Sequence, residues 1–248
     1  MTIELSAVVP ARNEARHIEG TVRALVAALS AERITHEVLV VDDGSSDGTR
    51  EVAVRLAAEL PTVRVVANDE PHGFGFAVRT GLAHFTGEAC VLVMADASDS
   101  PHDLVHFYRT LQQGYDCVFG SQFIDGGSAE GYPRLKWICN RVGNRLIQSC
   151  FRIRYDDVTN AFKMYRRCVI AHVQPLGSGH FEIALELPLK AIAGGYRYAV
   201  VPNRWTSRKA GRSKFQLMDL GRYLRVALGC LLERRRRPAG DPAGGYTL

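Results

Sequence analysis

The sequence contains no uninterrupted apolar run of the roughly 18 residues that a membrane-spanning helix needs. Its best candidate, Leu217 to Leu232, is broken by Asp219, Arg222 and Arg225. No basic N-terminal stretch leads into a long apolar run, and Pro10 interrupts what apolar character there is, so no export signal is expected. The six cysteines, at 90, 117, 139, 150, 168 and 230, form no Cys-x-x-Cys pair and show no metal-ligand spacing. Several lie in apolar runs, as small buried hydrophobes do, and reduced thiols are the expected state. These absences exclude a disulfide scaffold and a zinc module, and they leave a cytoplasmic location as the expectation.

What is present is ordinary in amount and uneven in placement. With 248 residues, 46% of them hydrophobic and 23% charged, the chain can bury one substantial core. Residues 204–248 carry a balance of +8, whereas residues 1–203 carry −3. A nearly neutral body with a basic C-terminus points to an anionic partner such as phosphates or lipid headgroups.

The order of segments reads as alternating strands and helices through the first half. Strands are expected at Leu5–Val9, His36–Val41, Val63–Ala67, Ala89–Met94 and Asp116–Gly120. Between them, helices are expected at about 14–32 (with Asn13 as N-cap), 48–60, 75–85 and 101–113. Val38 to Val41 is apolar at every position, as in a parallel sheet covered on both faces. Pro101 suits a first helical turn. This alternation implies an α/β fold with a doubly wound, mostly parallel sheet. After residue 125 the pattern changes to a helix at about 133–151, mixed short elements, a strand at about 197–201 and a helix at about 215–233. The division expected is one α/β domain over 1–215, a basic amphipathic helix over 216–237 and a disordered tail over 238–248.

In an open parallel sheet, ligands bind outside the carboxyl ends of the strands. Those ends carry Pro10-Ala11-Arg12-Asn13-Glu14, then Asp42-Asp43-Gly44-Ser45-Ser46-Asp47-Gly48-Thr49, then Ala95-Asp96-Ala97-Ser98-Asp99, then Gly120-Ser121-Gln122. Strand starts carry no comparable set. A carboxylate in the Asp42–Thr49 loop can accept hydrogen bonds from a base or ribose, although Asp47 can equally cap the next helix. Asp96 and Asp99 suit a hard divalent cation, Mg²⁺ or Mn²⁺, which takes one or two carboxylates plus phosphate oxygens. Asp99 or Ser100 can instead cap the helix at Pro101. His102 and His106 are four apart but lack the Glu of a His-Glu-x-x-His zinc motif. Gly73 to Gly81 is a glycine-bearing helix start without the Lys-Ser/Thr ending of a phosphate loop. Arg208 to Lys214 gathers four cations, a hydroxyl and a glycine, a composition suited to gripping phosphate. The last helix places Leu217, Leu220, Leu224, Leu228 and Leu231 in one stripe, widened by Tyr223, Ala227 and Leu232, before the run Arg234–Arg237. Such a helix can lie on an anionic membrane surface or pack on the domain. The basic tail lacks interleaved aromatics, and no nucleic acid is expected as partner.

VVPARNE (8–14), VVDDGSSDGT (40–49), GFGFAVRTG (73–81), the acidic loop ending in Pro101 and RKAGRSK (208–214) occur in the order seen in family 2 glycosyltransferases. GSQF (120–123) followed by Gly126-Gly127, DVTNAF (157–162) and FEIALELPLKA (181–191) extend the match over about residues 5–215. The chain most resembles the dolichol-phosphate mannosyltransferase branch and its bacterial polyprenol-phosphate relatives. That resemblance implies a GT-A (Rossmann-like) fold, a nucleotide-sugar donor (GDP-mannose or a UDP-hexose), a divalent metal and a polyprenyl or dolichyl phosphate acceptor. It implies inverting transfer by a protein peripheral to the cytosolic face of a membrane. It assigns Pro10, Ala11, Arg12, Glu14, Asp42, Asp43, Arg79, Asp96 and Arg208 to the donor, and Asp96 and Asp99 to metal and catalysis. Gln122, Lys136, Arg212, Ser213 and Lys214 fall to the acceptor or its phosphate.

Two positions depart from the family pattern. The relatives' Asp-x-Asp followed by Gln falls here on Ala95, Ala97 and Asp99, with Asp96 one place off. An Arg associated with the acceptor phosphate is replaced by Gln122, leaving Lys136 and Arg141 as substitutes. The altered acidic loop keeps two alternatives open: transfer to a hydroxyl acceptor, with Asp99 as base, and a silent protein that binds nucleotide sugar at a membrane.

Overall fold

The computed structural model describes residues 2–131, 134–206, 220–236 and 246–247. Its first half follows the alternation in the sequence: β1 (Leu5–Ala11), α1 (Ile18–Ala31), β2 (His36–Asp42), α2 (Thr49–Glu59), β3 (Val63–Ala67), α3 (Phe74–His84), β4 (Ala89–Leu92), α4 (Pro101–Leu111) and β5 (Cys117–Ser121). The second half adds β6 (Ser128–Glu130), α5 (Arg134–Phe151), β7 (Lys163–Arg166), α6 (Arg167–His172), α7 (Ile183–Ala193), β8 (Tyr198–Pro202), β9 (Arg204–Thr206), α8 (Leu220–Arg236) and β10 (Tyr246–Thr247).

One sheet runs in the order β10-β8-β5-β7-β4-β1-β2-β3, and β6 pairs with β9 in a small second sheet. All neighbours in the large sheet are parallel except β7, which is antiparallel to both β4 and β5. The doubly wound, mostly parallel expectation therefore holds, with β7 as the strand that the sequence pattern did not reveal. Tyr246–Thr247, within the tail expected to be disordered, runs parallel to β8.

The period-2 alternation of strands divides the core into two layers. Leu5, Ala7, Val9, Val38, Val40, Ala89 and Val91 face one layer with α1, α2 and α4. Val8, Leu39, Val41, Cys90 and Leu92 face the other with α3, α6 and α7. Every residue of β1 and β2 is buried, and each fully buried Val or Leu contributes about 1.5–3 kcal/mol. Pro10 lies beyond Val8, the last β1 residue paired with β4, so a residue without an N–H is tolerated in a central strand.

Helix starts differ from expectation in one instructive case. Asn13 is not the N-cap of α1, a position taken by His17 without a side-chain cap. It adopts φ 58° instead and binds the next loop, donating its N–H to Ser45 Oγ (3.1 Å) and accepting Ser46 N–H on Oδ1 (2.8 Å). The cysteines are all free, with Cys90, Cys117 and Cys230 buried. Among the described residues no helix is long and apolar enough to cross a membrane.

Candidate active site

Successive parallel strands stand about 4.8 Å apart, so the tips of β4, β1, β2 and β3 fall within about 15 Å of one another. Asp43, directly after β2, ties three of them together. It is 3% exposed; its carboxylate accepts the Asn68 amide (2.7 Å) and the Gly73 N–H (3.1 and 3.0 Å). Arg12 Nη1 approaches to 3.6 Å and His72 Nδ1 to 3.3 Å. The Asp43 N–H in turn donates to Ala11 O. Asp43 therefore organises the tips of β1, β2 and β3 and orients Arg12, whose side chain is 44% exposed. Asp42 is equally buried and accepts Ser45 N–H at 3.3 Å.

Glu14 lies in the same cluster. Its N–H donates to Thr49 Oγ1 (2.8 Å) and its carboxylate meets His17 Nδ1 at 3.1 Å. Asp47 spans the two loops, accepting Ala15 N–H and the Thr49 hydroxyl. It does not occupy the N-cap of α2, which is Gly48.

The glycines at the start of α3 serve chain packing. A Cβ on Gly75 would stand 2.6 Å from Ser178 O and from Gly179 C, and one on Gly179 would meet the Phe76 ring at 2.5 Å. The Gly177–His180 loop thus fills the space at the α3 N-terminus, and Phe76 N–H donates to Gly179 O (3.2 Å). Gly75→Ala is expected to lose about 1–3 kcal/mol of stability through backbone displacement, read as a lower denaturant midpoint. An unchanged midpoint would contradict this packing. Arg79 is exposed, stacks 5.6 Å from the Phe76 ring centroid and lines a groove of about 760 Å³ with Asn68, Glu70, Thr80 and Arg167. No contact among the described residues joins it to Asp43.

The loop after β4 holds the second acidic cluster. Asp99 caps nothing: Ser100 is the N-cap of α4 and makes no side-chain cap bond. The Asp99 carboxylate turns back to accept Met94 N–H (2.9 Å) and is 8% exposed. Burial, reinforced by the charges of Asp96 and Asp103, pushes its pKa up to about 7. Asp96 folds onto Ser98, accepting its N–H and hydroxyl on Oδ1 (3.2 and 2.6 Å). Ala97 takes φ 59° to make this turn.

Among the described residues the charges acting on this buried carboxylate are negative, an environment that a cation would relieve. Among the described residues no group of three or more His, Cys, Asp or Glu side chains is arranged to hold a metal. Asp99 and Asp96 fit the open kind of site, in which the remaining ligands are phosphate oxygens and water. His102 and His106 line a separate groove of about 300 Å³ with Glu32 and Arg109, away from this loop, and form no such group.

The chain after β8 braces the acidic loop. Trp205 forms a bridge with Asp99, Thr206 N–H donates to Ser98 O (3.3 Å), and Arg204 pairs with Asp103 (2.8 Å). Arg208, Arg212, Ser213 and Lys214 lie outside the described residues, as does the side chain of Lys136.

A third polar cluster stands at the tips of β5 and β8. Ser121 Oγ donates to Asp156 (2.7 Å), Gln122 N–H to Asp157 (3.1 Å), and Asn160 Nδ2 to Gly120 O, Asp157 and Asn203. Lys163 is buried beneath it, its ammonium donating to the carbonyls of Val158, Asn160 and Ala184. Burial pulls its pKa down and Asp157 opposes that shift; three acceptors match the three N–H groups of the charged form. Asn68, His72, Asp156 and Asn203 were missed from sequence. The ends of β3 and β8 hold Asn68 and Asn203, and reading those two ends along with the others would have found them.

An open sheet of this order, with carboxylates gathered at the carboxyl tips of β1, β2 and β4, is the arrangement of a GT-A glycosyltransferase. The chain belongs to glycosyl transferase family 2, whose family model matches residues 6–173. It is 30% identical over 220 residues to glycosyltransferase AglD of Haloferax volcanii, covering 87% of this chain and 35% of that protein. It is 28% identical to polyprenol monophosphomannose synthase of Mycolicibacterium smegmatis, over 85% of this chain and 80% of that one. The dolichol-phosphate mannosyltransferase of Pyrococcus furiosus is also 28% identical, over 90% and 62% respectively. The chain thus spans about a third of the first of these relatives. Among solved structures, glucosyl-3-phosphoglycerate synthase from Mycobacterium tuberculosis, in complex with Mn²⁺, UDP and phosphoglyceric acid, matches 95% of this chain and 80% of its own. The TM-score is 0.68 at 20% identity, which establishes a shared fold.

Proposed function

We propose that this protein transfers a hexosyl group, of mannose or glucose type, from a nucleoside diphosphate sugar to a polyprenyl phosphate at the cytosolic face of a membrane. The observation that carries this reading is the pair of acidic clusters at the tips of β2 and β4, which flank β1, one organised around Asp43 and one around Asp99. The resemblance to two polyprenyl-phosphate enzymes of the same family supports the acceptor.

In this reading Arg12, Glu14 and Asp42 meet the nucleoside, and Asp43 holds Arg12 in place. Pro10 and Ala11 form the floor at the end of β1. Asp99 and Asp96 would hold Mg²⁺ or Mn²⁺ together with the diphosphate, and the ion would supply charge neutralisation to the leaving group. The cationic segment containing Arg208, Arg212, Ser213 and Lys214 begins two residues after Thr206, which is bonded to Ser98 O. Its charges are assigned to the donor and acceptor phosphates.

Inverting transfer in one step needs the acceptor oxygen aligned opposite the diphosphate. A phosphate monoester, with a second pKa near ~6, is largely dianionic at neutral pH and attacks without a general base. That accords with Asp99 being turned toward Met94 N–H and its own loop. Purified protein given a panel of nucleotide sugars and polyprenyl phosphate should form a lipid-phosphate sugar in a metal-dependent manner. Product only with a hydroxyl acceptor, or none with any donor, would reject the proposal.

Two helices support a membrane-facing site. On α8 the leucine stripe expected from sequence divides: Tyr223, Val226, Ala227, Cys230 and Leu231 pack on the core, while Leu224, Leu228 and Leu232 are 54–60% exposed. α5 contacts α8 and exposes Trp137, Ile138, Val142 and Leu146 at 46–60%. Seven of the nine large exposed hydrophobics among the described residues lie on these two helices, and exposed apolar surface concentrated in this way marks a contact surface. Changing Trp137, Ile138 and Val142 together to Ser is expected to reduce sedimentation with anionic vesicles several-fold at an unchanged melting temperature. Undiminished vesicle binding would place the contact elsewhere.

A further inference from the structure

Pro188 stands inside α7, where it has no N–H to give the carbonyl of Ala184 four residues back and its ring crowds that carbonyl. Both residues are buried, so the acceptor needs a donor from the protein. Another element supplies it: Lys163 of β7 places Nζ 3.0 Å from Ala184 O.

Lys163 is 1% exposed, and an apolar side chain of similar volume would fill the same core at less cost. Its other two N–H groups show what the ammonium adds. They go to Val158 O (3.0 Å) and Asn160 O. Both carbonyls belong to the turn 157–160, which Asn160 N–H closes on Asp157 O (3.0 Å). One side chain thus clamps this turn against the first turn of α7. Supporting α7 accounts for one of the three bonds, and the turn takes the other two.

The turn reaches the strand tips through its side chains. Asp157 accepts Gln122 N–H (3.1 Å), and Asn160 Nδ2 donates to Gly120 O (3.1 Å) and Asn203 Oδ1 (2.9 Å). Asn203 is 1% exposed, and its N–H donates to Ser121 O (3.0 Å). The join has little slack: a Cβ on Gly120 would stand 2.7 Å from Asn203 Oδ1 and 2.9 Å from the Phe107 ring. Two residues beyond Asn203, Trp205 bridges to Asp99, and Thr206 N–H holds Ser98 O. In a close-packed interior, a displaced turn passes its shift to the Asp99 loop instead of absorbing it.

We propose that Lys163 is a positioning residue for the transfer reaction. It holds the 157–160 turn so that Asn160 and Asn203 set the tips of β5 and β8 and, through Trp205, the Asp99 loop. Lys163 lies beneath the site and acts only through these residues. The assignment rests on the role given to Asp99 under the proposed function.

The test compares Asn160→Ala with Lys163→Met, the latter made in the wild type and in a Pro188→Ala background. Pro188→Ala returns a helical N–H to Ala184 O and relieves Lys163 of its duty to α7, leaving the clamp on the turn; alone it should keep wild-type turnover. Lys163→Met should lower turnover about 10- to 100-fold, the scale of an ångström-sized misplacement in a transfer site. In the Pro188→Ala background the fall in melting temperature on Lys163→Met should shrink, while the fall in turnover stays and nucleotide affinity in chelator matches the wild type. Asn160→Ala, which leaves Lys163 and α7 intact, should lower turnover on the same scale. Turnover that recovers together with melting temperature, an equal loss of nucleotide affinity, or wild-type turnover in Asn160→Ala would overturn the assignment and leave Lys163 as a support for α7 alone. Should Lys163→Met not fold, Asn160→Ala decides by itself. Wild-type protein that transfers nothing from any donor would remove the proposed function, and this assignment with it.

Discussion

Asp99→Asn is expected to lower turnover by at least about 100-fold, the scale of removing a principal electrostatic stabiliser of a leaving group, while the metal-free protein melts at a higher temperature than the wild type. The two effects have one cause. Asp99 is buried, its pKa is raised to about 7 by burial and then by Asp96 and Asp103, and among the described residues only the Met94 N–H compensates its charge. Asn retains an oxygen for that N–H and removes the uncompensated anion, a gain of about 1–3 kcal/mol. A carboxylate kept for architecture alone would show the opposite, lower stability with activity intact. Asp96→Asn should cost less, because Asp96 Oδ1 already serves the Ser98 turn and an amide oxygen preserves that turn.

Asp43→Ala is the second large effect and differs in kind. The Gly73 N–H, the Asn68 amide and the Arg12 guanidinium all meet this one carboxylate. Removing it leaves buried donors unpaired, at about 1–3 kcal/mol each where no water replaces it. The expected outcome is a melting temperature lower by several degrees together with a 10- to 100-fold weaker nucleoside diphosphate affinity, about 1.4–2.7 kcal/mol. Arg12→Ala, which removes an exposed side chain, should weaken nucleotide binding at wild-type stability. If Arg12→Ala leaves affinity unchanged, the nucleoside lies elsewhere.

Most of the fold was legible because its signals are local. Val38–Val41 reads as a strand buried on both faces, and Ile18, Val22, Leu25 and Leu29 read as one face of a helix; the buried positions of β2 and α1 agree. β7 was not legible, since Lys163–Arg166 carries two basic residues and only its position between β4 and β5, a long-range fact, makes it a strand. The burial of Lys163 is likewise invisible in sequence, because its acceptors come from residues 158, 160 and 184.

For the site, reading the end of each parallel strand brought the Asp43 and Asp99 loops to one edge of the sheet, on the tips of β2 and β4 that flank β1. What sequence did not supply was how each carboxylate is spent. Asp43 is engaged by Asn68 and Gly73, Asp47 by Thr49 and Ala15, and Asp99 by Met94 rather than by the helix it precedes. Glycines 73 and 75 illustrate the same limit. Their spacing suggests room for a ligand, yet the room is filled by Ser178, Gly179 and His180 from a loop about 100 residues away in sequence, a proximity that only folding through long-range contacts creates.

The most direct measurement is calorimetric titration of GDP and UDP into the wild type, Asp99→Asn and Asp43→Ala, each with Mn²⁺ and with chelator. The account predicts that at least one nucleotide binds the wild type, that its affinity falls on chelation, that Asp99→Asn abolishes the metal dependence, and that Asp43→Ala weakens binding under both conditions. Binding of neither nucleotide with metal present, or equal affinity in all three proteins, would contradict a donor site built on these strand tips.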